Sequence, residues 1–245
     1  LDRTTYGWQK SDLIILAARP SVGKTAFALN LARNAAMHPT KPTAVAVFSL
    51  EMSSSQLVQR ILSAESEIWL EKISRGRMED HEMQQLYKKG IEPLTNAKMF
   101  IDDSAALNIF ELRAKCRRLK SLHNVGLIII DYLQLMSGNN SESRQLEVSE
   151  ISRNLKILAR ELDVPVIALS QLSRRLEERQ DKRPQLSDLR ESGSLEQDAD
   201  IVMFLHRPEM YRNEKGESSE NAEKGVAEVI IGKHRAGPTG LVKLA

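Results

Sequence analysis

Apolar runs rich in β-branched residues alternate along the chain with amphipathic stretches. The runs are continuous rather than alternating residue by residue, which is typical of strands that are covered on both faces. They predict buried strands at 13–17, 44–48, 99–102, 127–131, 166–170, 201–205 and 226–231. A second strand-like run follows the turn residues 236–240, so the end of the chain is predicted to form a β-hairpin.

The stretches between these runs have the periodicity of helices at 25–37, 109–122 and 145–162. In the last of them, Ile151, Leu155, Leu158 and Leu162 follow one another at spacings of four, three and four residues, which is one face of a helix. Strands that alternate with helices predict an α/β fold with a mostly parallel, twisted sheet and helices on both faces. Polar segments predict loops at 137–144, 174–195 and 207–225.

Length and composition limit the possible classes of protein. The 245 residues, 41% of them hydrophobic, suit one domain over 1–245, and a chain that starts at Leu1 is expected to be part of something longer. Lys and Arg number 35 against 33 Asp and Glu, so any contact with nucleic acid must come from locally placed basic residues. Aromatic residues make up only 4%, which argues against binding by base-stacking platforms.

The single cysteine, Cys116, excludes a disulfide framework and a cysteine zinc site, and the histidines lack metal-ligand spacing. No apolar run approaches the roughly 18 residues that span a bilayer, so no membrane contact is expected. These features predict a soluble protein of a reducing compartment. We expect Cys116 to be half-buried on a helix, and the basic run 113–118 around it to be a solvated helix face, with a binding patch as the alternative.

The sequence Leu-Ala-Ala-Arg-Pro-Ser-Val-Gly-Lys-Thr at 16–25 follows the first predicted strand and opens the first predicted helix. It matches the phosphate-loop pattern, except that Ala18 stands where the first glycine is usual. Backbone N–H groups of 21–25 would surround a phosphate at the positive end of the helix. Lys24 would reach the β- and γ-phosphates of ATP, and the Thr25 hydroxyl would ligate Mg²⁺.

Polar residues at the ends of three other strands are candidates for the same site. Asp131 ends the strand 127–131, at the sheet edge where ligands bind in open α/β sheets, and would complete the Mg²⁺ shell. Glu51 follows the second strand and would orient or deprotonate water, although a solvated glutamate at a helix start is the alternative. Gln171 would sense the γ-phosphate, or is an ordinary residue at a strand end.

Taken together, these motifs resemble the ATPase domain of bacterial replicative DNA helicases of the DnaB type, which has the RecA-like P-loop fold. The resemblance rests on the segments 18–25, 48–52, 130–135, 168–174, 190–200 and 233–238, which occur in order along nearly the whole chain. It implies a hexameric ring of identical subunits that hydrolyses ATP with Mg²⁺ and translocates on single-stranded DNA. Primase and a helicase loader are the implied candidate partners, and the bacterial cytoplasm, at the nucleoid, is the implied location.

The resemblance also assigns roles to residues. The residues implied to bind nucleotide are Ser21, Val22, Gly23, Lys24, Thr25, Ala26 and Arg60. Glu51 is the implied catalytic carboxylate, Asp131 the metal-site acid and Gln171 the sensor. The implied single-stranded DNA loop contains Arg190, Glu191 and Gly193, and the residues implied to reach the neighbouring subunit's ATP site are Lys233, His234 and Arg235.

Two other classes of protein remain open at this point. A strand-exchange recombinase of the same fold would form filaments, and a non-catalytic nucleotide-binding module would lack a water-activating acid. The hairpin with Lys233 and Arg235, together with the stretch 190–200, favours the helicase over the recombinase, and Glu51 argues against the module. Without the resemblance, Arg190 would be interpreted as an ordinary surface arginine.

Overall fold

The computed structural model describes residues 1–105, 107–136, 144–179, 181–211 and 225–244, with the backbone alone for 175 and 190–193. Its centre is one sheet in the order β3-β2-β4-β5-β1-β6-β7-β8. The strands are β1 (Leu13–Ala18), β2 (Val45–Ser49), β3 (Met99–Asp102), β4 (Leu127–Asp131), β5 (Val166–Gln171), β6 (Ile201–His206), β7 (Ala227–His234) and β8 (Gly240–Leu244). Strands β1 to β6 pair in parallel, and β7 and β8 are antiparallel to their neighbours. The α/β class, the parallel sheet and the terminal hairpin are therefore confirmed.

Helices connect the parallel strands. They are α1 (Asp2–Thr5), α2 (Lys24–Ala36), α3 (Ser54–Ser66), α4 (Leu70–Arg75), α5 (Asp80–Gln85), α6 (Glu92–Leu94), α7 (Ile109–His123), α8 (Arg144–Leu162) and α9 (Gly193–Asp198). A π-helical turn, Leu86–Ile91, joins α5 to α6. Short 3-10 helices cover Leu133–Leu135, Arg174–Glu178, Leu186–Ser192 and Pro208–Met210. None of the helices in the described ranges has the length and apolar character needed to cross a bilayer.

The central strand β1 is buried along its whole length because helices cover both faces of the sheet. Leu13 and Ile15 point into one core, which also contains the buried faces of α7 and α8. Ile14 and Leu16 point into the second core, with the buried faces of α2 and α3. Successive side chains of a strand point to opposite faces, so a continuous apolar run supplies both cores at once.

Two parts of the sequence-based picture need correction. The segment 174–195, predicted as a loop, contains the 3-10 helices Arg174–Glu178 and Leu186–Ser192 and the first turn of α9. The Asp188 carboxylate accepts a hydrogen bond from the Gln185 backbone N–H at 2.7 Å, which stabilises a short turn that has no apolar period to predict it. Helices α3 to α6 were not predicted, and the predicted loops 137–144 and 207–225 lie mostly outside the described residues.

Candidate nucleotide-binding site

The loop between β1 and α2 leaves the sheet at its carboxyl edge, where the five other parallel strands also end. Gly23 immediately precedes α2 with a φ of 106°, a backbone conformation that glycine adopts without strain, and Ser21 has a φ of 65°. Arg19 fixes the start of the loop, because its guanidinium donates hydrogen bonds of 2.8 Å to the Leu172 carbonyl and to Glu177. The loop therefore leads directly into the amino end of a 13-residue helix, where free backbone N–H groups favour an anion.

Thr25, Lys24 and Asp131 meet at the centre of the site. The Thr25 hydroxyl donates a hydrogen bond of 2.6 Å to Asp131 Oδ2, and Lys24 Nζ lies 3.8 Å from Asp131 Oδ1. Oδ1 is buried and has no hydrogen-bond partner among the described residues. A buried carboxylate oxygen without a hydrogen-bond donor, next to a threonine hydroxyl, is the kind of donor set that fits a hard divalent cation.

Lys24 is largely buried, and Tyr132 covers it with the Nζ atom 4.4 Å from the centre of the ring. Burial lowers the pKa of the Lys24 ammonium, while the charges of Asp131 and Glu51 oppose that shift. A partly desolvated ammonium interacts with an anion more strongly than one exposed to water does. This arrangement suits Lys24 to binding a phosphate.

A cleft of about 990 Å³, open to solvent, lies over this centre. Glu51, Arg60 and Gln171 line it together with Lys24 and most of the phosphate loop. The lining residues from the loop and helix start are Ser21, Gly23, Lys24, Thr25 and Ala26. Val22 differs, because its side chain is buried in the core beneath the loop. The structure thus brings residues from four strand ends into one site.

Three contributors to this region were not singled out from the sequence. Arg19 joins the start of the loop to Leu172 and Glu177, Tyr132 covers Lys24, and Gln134 forms hydrogen bonds with the end of β5. Arg19 and Gln134 contact backbone atoms of distant segments, and no spacing along the chain indicates such contacts. For Tyr132, the one indication in the sequence is its position next to Asp131.

The cleft lies at the end of the sheet where the parallel strands finish. Lys233, His234 and Arg235 lie at the other end, where these strands begin. His234 pairs with Ile201 at the start of β6, and the Arg235 N–H donates to the Asp200 carbonyl at 2.9 Å. The side chains of Lys233 and Arg235 donate hydrogen bonds to carbonyl oxygens of Glu196 and Gln197 near the end of α9. A six-residue strand, roughly 17 to 20 Å long, separates the two edges, so these side chains do not join the cleft of their own chain.

The predicted DNA loop is described only in part. The backbone of Arg190 and Glu191 lies in the 3-10 helix Leu186–Ser192, and Gly193 begins α9. The side chains of 190–193 lie outside the described part of the structure.

Cys116 is fully buried in the core rather than half-buried, and burial raises the pKa of its thiol to about 12. The basic run around it is engaged with acids, since Arg113 and Arg117 pair with Glu161 and Lys115 pairs with Asp102. Within the described ranges, no cluster of three or more His, Cys, Asp or Glu side chains forms a metal site.

Comparisons with known proteins agree with this geometry. The family model of the DnaB-like helicase C terminal domain matches residues 1–245. The chain is 56% identical to the replicative DNA helicase DnaB of Geobacillus stearothermophilus and 54% identical to the replicative DNA helicase DnaC of Bacillus subtilis. In both cases the match covers 100% of this chain and 52% of the relative, so the chain spans about half the length of these relatives.

Solved structures show the same similarity. One of them, described as an ATPase domain, superposes with a TM-score of 0.90 at 44% identity, covering 100% of this chain and 84% of that one. A DnaB-like replicative helicase, described with its interactions with primase, also gives a TM-score of 0.90 at 44% identity, with 100% of this chain and 57% of that one covered.

The sheet order, the loop at its carboxyl edge and the cleft define a P-loop domain with the RecA-like fold. The chain belongs to the DnaB-like helicase C-terminal domain family.

Proposed function

We propose that this chain is the motor domain of a replicative DNA helicase that forms a hexameric ring, hydrolyses ATP at its subunit interfaces and translocates on single-stranded DNA. The observation that carries the proposal is the separation of two sets of residues by the length of the parallel strands. The phosphate-binding set lies at one edge, and the cations of the terminal hairpin lie at the other. Its relatives named as replicative helicases support the same function.

ATP enters the cleft with its phosphates against the loop 21–25, where backbone N–H groups and the helix start favour negative charge. Lys24 binds the β- and γ-phosphates. Mg²⁺, held by Thr25 and Asp131, would neutralise charge on those oxygens. The hydrogen bond of 2.6 Å between the Thr25 hydroxyl and Asp131 Oδ2 supports this assignment, because the two ligand side chains already face each other. Arg60, which lines the cleft from α3, contacts the nucleotide.

Hydrolysis requires a group that orients or deprotonates the attacking water. Glu51 is exposed in the cleft, and its charge acts on Lys24, which supports a position of its carboxylate near the phosphates. Gln171 lines the same cleft from the end of β5 and responds to the γ-phosphate. We assign water activation to Glu51 and sensing to Gln171.

Arg235 supplies positive charge to the ATP site of a neighbouring subunit, with Lys233 and His234 beside it. Its guanidinium stays charged and binds phosphate oxygens in a fork. An arginine supplied in trans accelerates phosphoryl transfer by about 10³ to 10⁵. Arg235 lies at the opposite end of the strands from the cleft of its own chain. Because it must therefore act in a neighbouring subunit, hydrolysis depends on assembly.

Single-stranded DNA is bound by the segment that includes Arg190, Glu191 and Gly193. In a ring, copies of this segment converge on one strand, so a chain with a net charge of only +2 provides enough local positive charge. Contacts of this kind to phosphate carry no base information, which suits a motor that moves over any sequence. Primase and a loader are the proposed partners, and the cytoplasm of a bacterium, at the nucleoid, is the proposed location.

The strand-exchange recombinase is the second class of protein that uses this fold. The family match over the whole chain favours the helicase, and no specific observation favours the recombinase.

Strand displacement tests the proposal directly. The protein is incubated with a forked duplex that has one labelled strand, and release of that strand is measured with ATP. We expect ATP-dependent release by the wild type and none by the Lys24→Ala variant. Pairing of homologous strands by filaments, without displacement, would instead establish the recombinase.

A further inference from the structure

The side chain of Gln134 holds the residue that we assign as the γ-phosphate sensor, Gln171. Its Nε2 atom donates to the Gln171 carbonyl at 3.2 Å and to the Ser170 hydroxyl at 2.9 Å. Its Oε1 atom accepts from the Gln171 backbone N–H at 3.2 Å. One side-chain amide thus pairs with both polar groups of the sensor's backbone.

The side chain of Gln134 contacts β5 beyond the point where β5 stops pairing with β4. Strands β4 and β5 pair only as far as Ile130 and Ala168, because the chain turns away from the sheet after Asp131. On its other side, Gln171 still pairs with Ala18 of β1 at the start of the phosphate loop. The Gln134 amide therefore replaces the missing backbone partner and keeps the end of β5 in the sheet at the cleft.

Gln134 itself is firmly placed. Its neighbours Leu133 and Met136 are both buried in the core, at 0% and 1% exposure. Its own carbonyl accepts a hydrogen bond from Arg144, the first residue of α8. A residue whose backbone is anchored in this way can fix the position of its partner at little further cost in backbone conformational entropy.

We propose that Gln134 is the positioning residue for Gln171, so that loss of its amide misplaces the sensor and slows hydrolysis without weakening ATP binding. The proposal rests on the sensor role of Gln171 in the proposed function. The hydrogen bonds of the Gln134 side chain go to the end of β5 and not to the phosphate loop, so the affinity for ATP is expected to be set elsewhere.

The test compares steady-state ATP turnover by Gln134→Ala, Gln171→Ala and the double variant in the full protein. We expect Gln134→Ala to lower kcat on the order of 10-fold to 100-fold, the cost of a small misplacement, with KM for ATP nearly unchanged. Because Gln134 acts through Gln171, the double variant should be no slower than Gln171→Ala alone. Ser170→Ala, which removes one of the three contacts, should have a smaller effect.

Two further variants distinguish the loss of these hydrogen bonds from a general loss of structure. Gln134→Met has nearly the same shape and lacks the hydrogen bonds, so it should reproduce the loss of kcat with unchanged thermal unfolding. Gln145→Ala removes an exposed glutamine amide on α8 and should have no effect.

The possible results separate the two assignments. If Gln171→Ala lowers kcat and both Gln134 variants do not, the positioning role is overturned and the sensor role stands. If the effects of Gln134→Ala and Gln171→Ala multiply in the double variant, Gln134 acts independently and the proposal is also overturned. Unchanged turnover in Gln171→Ala would remove the sensor role and this proposal together.

Discussion

At the scale of single residues, the buried cation Lys24 lies near two acids, Asp131 and Glu51, whose surroundings differ. Asp131 is buried and bonded to Thr25, whereas Glu51 is exposed at the solvent side of the cleft. A buried acid with a fixed partner suits metal binding, and an exposed acid can reach water. The two carboxylates are therefore expected to respond differently to substitution.

Glu51→Gln should leave ATP binding nearly intact and lower turnover on the order of 10² or more, because the amide keeps the shape of the side chain and cannot accept a proton. Equilibrium binding of a fluorescent ATP analogue and steady-state hydrolysis measure the two effects separately. Glu67→Gln is the matched control, since Glu67 is an exposed acid paired with Lys89 and does not line the cleft. Loss of affinity with retained turnover of bound ATP would make Glu51 a ligand of the metal shell instead.

The site residues at strand ends could be predicted from the sequence. The residues whose side chains form hydrogen bonds with distant backbone groups could not. Lys24, Thr25 and Asp131 follow buried strands at the carboxyl edge of a parallel sheet, so sequence order alone implied that they meet. Val22 illustrates the limit, because the phosphate-loop pattern does not distinguish a side chain that points into the core from one that faces the cleft. Arg19 and Gln134 depend on distant carbonyl groups, which no local pattern marks.

At the scale of elements, α8 connects the nucleotide cleft to the segment assigned to DNA. Its first residue, Arg144, donates to the Gln134 carbonyl. Further along, Ser149 and Ser152 form hydrogen bonds of 2.8 Å with Ser194 and Asp198 of α9. Helix α9 begins at Gly193, so α8 contacts both Gln134, which binds the end of β5, and the segment assigned to DNA.

The hairpin of β7 and β8 offers a stability test at the same scale. Gly232 lies in β7, and a Cβ atom added there would come within 2.7 Å of the ring of Phe204, which is buried and cannot move aside. Gly232→Ala should therefore lower the free energy of unfolding by about 1–3 kcal/mol, more than the roughly 0.4–1 kcal/mol gained from a stiffer unfolded chain. Denaturant unfolding measures this change.

Gly240→Ala in β8 is the control for that experiment, because an added Cβ would meet nothing within 4 Å. It should be neutral or slightly stabilising. Equal destabilisation by both substitutions would mean that a general effect of alanine in the hairpin, and not the contact with Phe204, is responsible.

Strands were easier to predict than helices in this chain. A buried parallel strand is a continuous apolar run, whereas α3 begins with a capping box of Ser53 and Gln56 and buries few of its residues. The stretch from α5 to α6 includes a π-helical turn, which shifts the helical period and obscures the pattern.

At the scale of the whole molecule, the placement of Arg235 predicts rescue between subunits. Arg235→Ala should bind ATP almost normally and fail to hydrolyse it. Mixed with Lys24→Ala subunits, it should form some interfaces with an intact phosphate loop from one subunit and an intact Arg235 from the other. The mixture should hydrolyse more ATP than either variant alone at the same total concentration, measured over a range of mixing ratios.

A mixture of Lys24→Ala with Glu51→Gln provides the control, since both changes lie in the same cleft and no interface would regain a complete set. It should show no rescue. If no ratio of the Arg235→Ala mixture exceeds the single variants, and the wild type is active as a monomer, then Arg235 does not act in a neighbouring subunit.

The cleft and the cations of the terminal hairpin lie at opposite ends of the sheet. This placement determines how many complete hydrolytic centres an assembly of this chain would contain. In the proposed mechanism, each contact between subunits is head-to-tail and completes one hydrolytic centre. An open chain of subunits then has one fewer working centre than it has members, with an idle cleft at one terminus and idle cations at the other. Closing the ring recovers that missing centre, so ring closure can be followed as a rise in turnover per subunit.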